Sequence, residues 1–130
     1  MGIVTQLRKQ SAPQLDAESL ATGYLFKVRW ENRVSALRYC IDQLAINHDM
    51  TEAAAELAAM QAYAAIESAN QVARIDVDAS TSDMVMLRTE GGRPAMFTTA
   101  DLVRLLQRAR DEGSAVVVDR DRRRPVVLEH

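Results

Sequence analysis

At 130 residues, with 48% hydrophobic and 26% charged residues and a formal charge of −2, the chain has the balance of one folded globular domain and not of a disordered segment. A net charge so near zero gives no general attraction to polyanions, and no apolar run approaches the roughly 20 residues of a membrane span. The lone cysteine, Cys40, excludes an intramolecular disulfide and suits a reducing compartment.

The opening residues, MGIVTQLRKQ, lack the basic start and apolar stretch of a secretory signal. Gln6 stands where a myristoylation signal has Ser or Thr. A cytoplasmic location is therefore expected. Ile3, Val4 and Leu7 offer one helical turn. Ser11 as cap and Pro13 in the first turn then start a helix through Leu15, Ala17, Leu20 and Ala21. Gly23 ends or softens it, at about 1 kcal/mol against alanine. Tyr24 to Trp30 carries the aromatic and branched types of a strand, but the helical period that follows reaches back into it and favours helix.

That period is Trp30, Val34, Leu37, Ile41 and Leu44, at alternating spacings of four and three, with Phe26 one turn earlier. It predicts one apolar stripe laid along another helix, with Trp30 and Leu37 as anchors. Arg29, Glu31, Arg33, Arg38 and Asp42 lie off the stripe and are expected in solvent. Asn47 suits a left-handed helix end. Asp49 followed by Glu52 suggests a capping box for a second helix over about Met50 to Arg74. So short a link predicts an antiparallel helical hairpin.

The second helix holds ten alanines. Leu57, Met60, Ala64 and Val72 are expected to face the first helix. Ala54, Ala58 and Ala62 stack one turn apart, with Tyr63 and Ile66 on an adjoining strip. This row offers close packing within the domain or, as a sharper reading, a self-association face for a homodimer.

From Ile75 to Asp83 the chain reads as a loop or short edge strand, a change of layer between a helical part (about 13–74) and a mixed part (about 84–127). Met84 to Thr89 is a strand, Gly91-Gly92 a turn, and Arg93 to Thr98 a return strand marked as an edge by Pro94. Thr98 and Asp101 form a second capping box, for a helix burying Leu102, Leu105, Leu106 and Ala109 and ending at Gly113. Ser114 to Val118 is a strand, and Pro125 to Val127 a last short edge. Leu128, Glu129 and His130 read as the start of a histidine tag and are set aside. The expected fold is one α+β domain over residues 1–127. An N-terminal antiparallel helical hairpin would pack on a small, mainly antiparallel sheet with a third helix.

Few residues suit chemistry. Asp76, Asp78 and Ser80 match the first, third and fifth positions of a calcium loop, but Thr81 replaces the turn glycine and Leu87 the bidentate glutamate. An acidic surface loop is expected. His48, beside Asp49 in the helix link, is expected in solvent, and Cys40 next to the stripe is expected buried. One cysteine and one histidine outside the tag leave no zinc set and no triad, so neither a metal nor a cofactor is expected. Residues 88–125 hold nine Arg against six Asp or Glu. Arg104 and Arg108 share a helix face, and Arg120, Arg122, Arg123 and Arg124 crowd one turn. These are the candidate polyanion contacts. Asp119 and Asp121 interrupt them, and no aromatic residue accompanies them for base stacking, so a nucleic acid is not the expected partner.

The segment Met84 to Arg110, MVMLRTEGGRPAMFTTADLVRLLQRAR, is similar in plan to the hairpin-then-helix unit of lambda-type phage head–tail joining proteins. In both, a polar turn containing glycine joins two short strands and a Ser/Thr-capped helix follows. The resemblance covers about a fifth of the chain. The preceding helical hairpin and the strands after Ser114 depart from it. It implies an assembly protein without catalysis, in the cytoplasm or a virion, and carries over no site residue. The functional expectation is a non-catalytic assembly or partner-binding protein, of phage or mobile-element type. The alternative is a small nucleic-acid-binding regulator using the arginine-rich C-terminal part.

Overall fold

The computed structural model describes residues 13–129. The expected start at Ser11, the turn at Ile3, Val4 and Leu7, and His130 lie outside these residues. The chain is α+β. Its elements are α1 (Pro13–Lys27), α2 (Arg33–Asn47), α3 (Glu52–Ser68), β1 (Arg74–Ile75), β2 (Met84–Arg88), β3 (Ala95–Thr98), α4 (Thr99–Asp111), β4 (Ala115–Val117), a 3-10 turn (Arg120–Arg122) and β5 (Val126–Leu128). They group into two compact units. One holds the helices up to Ile66 together with Val117–Pro125, and the other holds Glu67–Val116 and the chain from Val126.

In the helical unit the expected long helix is two helices. α1 runs through Gly23 and stops at Lys27, where Val28 N–H bonds Leu25 O and Glu31 N–H bonds Val28 O in successive tight turns. Asn32 then caps α2, its side-chain oxygen accepting from Ser35 N–H at 2.8 Å. Asparagine favours this bond over continuing a helix, and the break loses the phase of everything before it. Trp30 is therefore 74% exposed, not an anchor, whereas Leu37 is 2% exposed. Val34, Leu37, Ile41 and Leu44 are buried as their spacing requires, together with Ala36 and Cys40. α1, carrying buried Ala21 and Leu25, packs on α2 across the 28–32 turn.

The second helix link also differs in detail. Asn47 is the last helical residue, Asp49 takes the left-handed conformation (φ 54), and Thr51, not Asp49, accepts from Ala54 N–H to cap α3. α3 runs antiparallel to α2. Arg33 lies 5.3 Å from the Tyr63 ring centre at one end, and Asp42 and Glu52 share arginine partners at the other. Its buried row is Ala55, Ala58, Ala59 and Ala62. Leu57, assigned inward by the sequence, is half exposed, Met60 is half-buried and Ala64 is exposed. Alanine lets the backbone approach closely, so the helix turns its thinnest face to the core. α3 ends at Ser68, not near Arg74, because Gln71 N–H closes a turn on Ser68 O. Val72 lies beyond the helix and is exposed.

In the second unit β1, β2 and β3 form an antiparallel sheet in that order. Ile75 pairs with Leu87, and Met84, Val85, Met86 and Leu87 pair with Thr98, Phe97, Met96 and Ala95. Gly91, at φ +66, supplies the left-handed position that the hairpin turn requires. The Thr98/Asp101 capping box is present in full. α4 ends at Gly113 (φ +79), with Ser114 N–H bonded to Ala109 O and Gly113 N–H to Arg110 O, a Schellman closure. β4 pairs with β5, with Glu129 N–H bonded to Ser114 O; the next bond of this ladder, from Val118 N–H to Pro125 O, belongs to the helical unit. Leu128 and Glu129, set aside in the sequence reading, thus belong to the last strand and its continuation. Among the described residues no helix is long and apolar enough to cross a membrane.

Candidate functional site

The helical unit gathers its charges around Arg124. Its side chain is buried, with Nη2 2.6 Å from Asp42 Oδ1 and 3.5 Å from Glu52 Oε2. Arg122 Nη1 reaches the same Asp42 oxygen at 2.8 Å. Asp119 lies 4.0 Å from Arg124 Nη1, and its backbone oxygen accepts from Arg124 N–H. Arg38, expected in solvent, donates from Nε (3.0 Å) and Nη2 (2.6 Å) to the carbonyl of buried Val118. These bonds tie the Val117–Pro125 segment to α2 and α3. Two of the four arginines expected to crowd one turn are thus engaged with carboxylates, while Arg120 and Arg123 are exposed.

The chemical candidates are held by structural contacts. Asp76 Oδ2 accepts from Arg88 Nε at 2.6 Å and Oδ1 from Ala79 N–H at 3.1 Å, which hold its carboxyl below the ordinary 3.8. Ser80 Oγ donates to Asp76 O and accepts from Met86 N–H. Asp76 and Ser80 therefore organise a turn, and no cluster of three potential metal ligands occurs among the described residues. His48 Nε2 lies 2.9 Å from Tyr24 Oη on the surface. Cys40 is buried, its Sγ 3.5 Å from Ala21 O, and burial pushes the thiol up to about 12. A thiol so protonated near neutral pH is a packing group, not a nucleophile.

The proposed self-association row does not share one surface. Ala58 and Ala62 are enclosed, Tyr63 is half-buried, and Ala54 and Ile66 are exposed. α3 buries Ala55, Ala58, Ala59 and Ala62 and leaves Ala53, Ala54, Ala64 and Ala65 exposed, so the row straddles the edge of the buried face.

The second unit holds an open groove of about 340 Å³ lined by Met96, Phe97, Asp101, Arg104, Leu105 and Arg108. One wall is β3, the last strand of its sheet. Thr99 N–H donates to Asp83 O, which makes 83/99, 85/97 and 87/95 the bonded pairs of the ladder. Met96 faces Met86 in a non-bonded pair, consistent with Met86 O accepting from Asp76 N–H on its other side. The N–H and C=O of Met96 therefore point to the outer edge, where the sheet order gives no further strand among the described residues.

The other wall is α4. Of its expected buried face only Ala109 is buried and Leu106 half-buried; Leu102 is 41% and Leu105 46% exposed, with Val103 exposed as well. Met96 on β3 is 56% exposed. Arg104 and Arg108 lie one turn apart on the groove. Asp101 Oδ1 lies 3.6 Å from Arg104 Nη1. Asp101 is chiefly a helix cap, accepting from Thr98 N–H on Oδ2, and its carboxyl is held low by its bonds from Thr98 backbone and side chain. Sequence reasoning found Arg104 and Arg108 through their spacing. It missed Met96 and assigned Leu105 inward, since helical periodicity marks an apolar face without saying whether anything covers it. No protein-family model, curated protein or solved structure matches the chain.

Proposed function

We propose that the chain is a non-catalytic partner-binding protein of the assembly type, and that the β3/α4 groove is its contact surface. The observation that carries this is the exposure of Leu102 and Leu105 on the apolar face of α4, beside exposed Met96. Contiguous exposed apolar groups rimmed by charge mark interaction surfaces more often than scattered ones do. The strand–turn–strand–capped-helix plan of Met84–Arg110 also supports an assembly role, through its likeness to head–tail joining proteins. The nucleic-acid reading has less support, because Arg122 and Arg124 already face Asp42 and Glu52.

Site-specific photocrosslinking tests the proposal. A benzophenone side chain at Leu105, in cells that produce the protein, is expected to give a discrete protein adduct that the same group at Arg120 does not. A nucleic-acid adduct at Leu105 supports the regulatory alternative. No adduct at Leu105 overturns the proposal.

A further inference from the structure

We infer that the groove accepts an extended acidic peptide segment of a partner protein as an added strand along the outer edge of β3. This rests on the partner-binding reading and names the partner's chemistry. Three observations converge on it. The outward N–H and C=O of Met96 offer the donor and acceptor that a strand uses, and an extended backbone satisfies both at once. Exposed Met96 and Leu105, both of the groove lining, provide an apolar contact for one large side chain of that strand. Arg104 and Arg108 stand over the same groove against one carboxylate, Asp101, which already caps α4. The local excess is therefore positive.

The spacing fits as well. Side chains one helical turn apart stand about 6 Å from each other, and alternate residues of a strand stand about 7 Å apart. Two carboxylates at alternate positions of the peptide thus reach Arg104 and Arg108 together, as charge-assisted bonds. Other occupants fit less well. A second copy paired edge to edge would bring its own Arg104 and Arg108 against these two. An amphipathic helix would cover Leu102 and Leu105 but leave the Met96 backbone groups unpaired. A nucleic-acid phosphate would meet the arginines but set charge against Met96 and Leu105.

Fluorescence anisotropy with the full chain decides it. The probe is a labelled Glu-Thr-Glu-Thr-Leu-Thr hexapeptide, whose two Glu and one Leu fall on the same face of an extended strand. Its controls are the Gln-for-Glu form, a form N-methylated at the central amides, and an oligothymidylate of comparable charge. The acidic peptide is expected to bind, and both peptide changes to weaken it by about tenfold or more, the size of losing charge-assisted or backbone bonds. The Arg104→Glu/Arg108→Glu variant should show the same loss with its circular dichroism unchanged. If that variant does not fold, the two peptide changes decide alone. Equal binding of the Glu and Gln peptides, indifference to N-methylation, or tighter binding of oligothymidylate overturns the inference. A protein adduct at Leu105 whose bound segment is helical or uncharged also overturns it, yet leaves the partner-binding reading standing.

Discussion

Arg124 and Asp42 meet at 2.6 Å across 82 positions of sequence. The guanidinium is buried and the carboxylate part-exposed, so the two ends of the pair differ in what their loss leaves behind. Removing the arginine strands an acid that still has Arg122 and water. Removing the acid leaves the buried cation with the longer contacts to Glu52 (3.5 Å) and Asp119 (4.0 Å), while its Nε and Nη1 have no hydrogen-bond partner among the described residues.

Asp42→Asn is therefore expected to cost about 3 kcal/mol, as breaking a buried pair from one side does. Arg124→Met, which fills the same space without charge, should cost less than about 1 kcal/mol. Urea unfolding of both variants checks the order. Arg124→Met as the more damaging change would mean that the cation is better hydrated than its burial implies.

Leu37→Ala is expected to cost about 2–5 kcal/mol, because Leu37 is enclosed in the helical core. Trp30→Ala should stay within about 0.5 kcal/mol, as exposed substitutions do. Chemical denaturation measures both, and a large Trp30 effect would contradict its placement on the surface.

Ala58→Arg places a long charged chain where α3 turns its alanines inward. The expected result is a loss of at least about 3 kcal/mol from overpacking and an unpaired charge. Circular dichroism and light scattering on a sizing column separate the outcomes. A folded variant of altered oligomeric state would return Ala58 to an intersubunit contact.

Asp76 gives a pH signature. Its carboxyl is held low first by the Arg88 hydrogen bond and then by Ala79 N–H. A lowered folded value stabilises above the unfolded value near 3.8, and that contribution is lost as pH falls through the folded value. Asp76→Asn should therefore be less stable than the parent at neutral pH, and the gap should close below about pH 4. Thermal melts across that range test it. A gap of the same size in acid would assign the role of Asp76 to neutral turn bonds alone.

The sequence by itself determined the features that depend on residues within a turn or two of one another. The stripe Val34, Leu37, Ile41 and Leu44 is buried, Thr98 and Asp101 close their box, Gly91 turns the hairpin, and Gly113 ends α4. Each is a local choice of backbone conformation made by side chains that reach only their near neighbours. Tertiary structure decided the rest. The Asn32 cap that set Trp30 off the stripe is the exception, a local bond from Ser35 N–H that the apolar period masked. Which face of α3 went inward depended on how closely its neighbours could approach. Arg38, Asp42, Glu52 and Arg124 became one site because chain segments distant in sequence met around Val118. The face of α4 carrying Leu102 and Leu105 is legible as apolar from its period, but its exposure is a property of what packs there. Periodicity records the direction in which a side chain points; burial requires a second surface, and only the folded chain shows whether one is present.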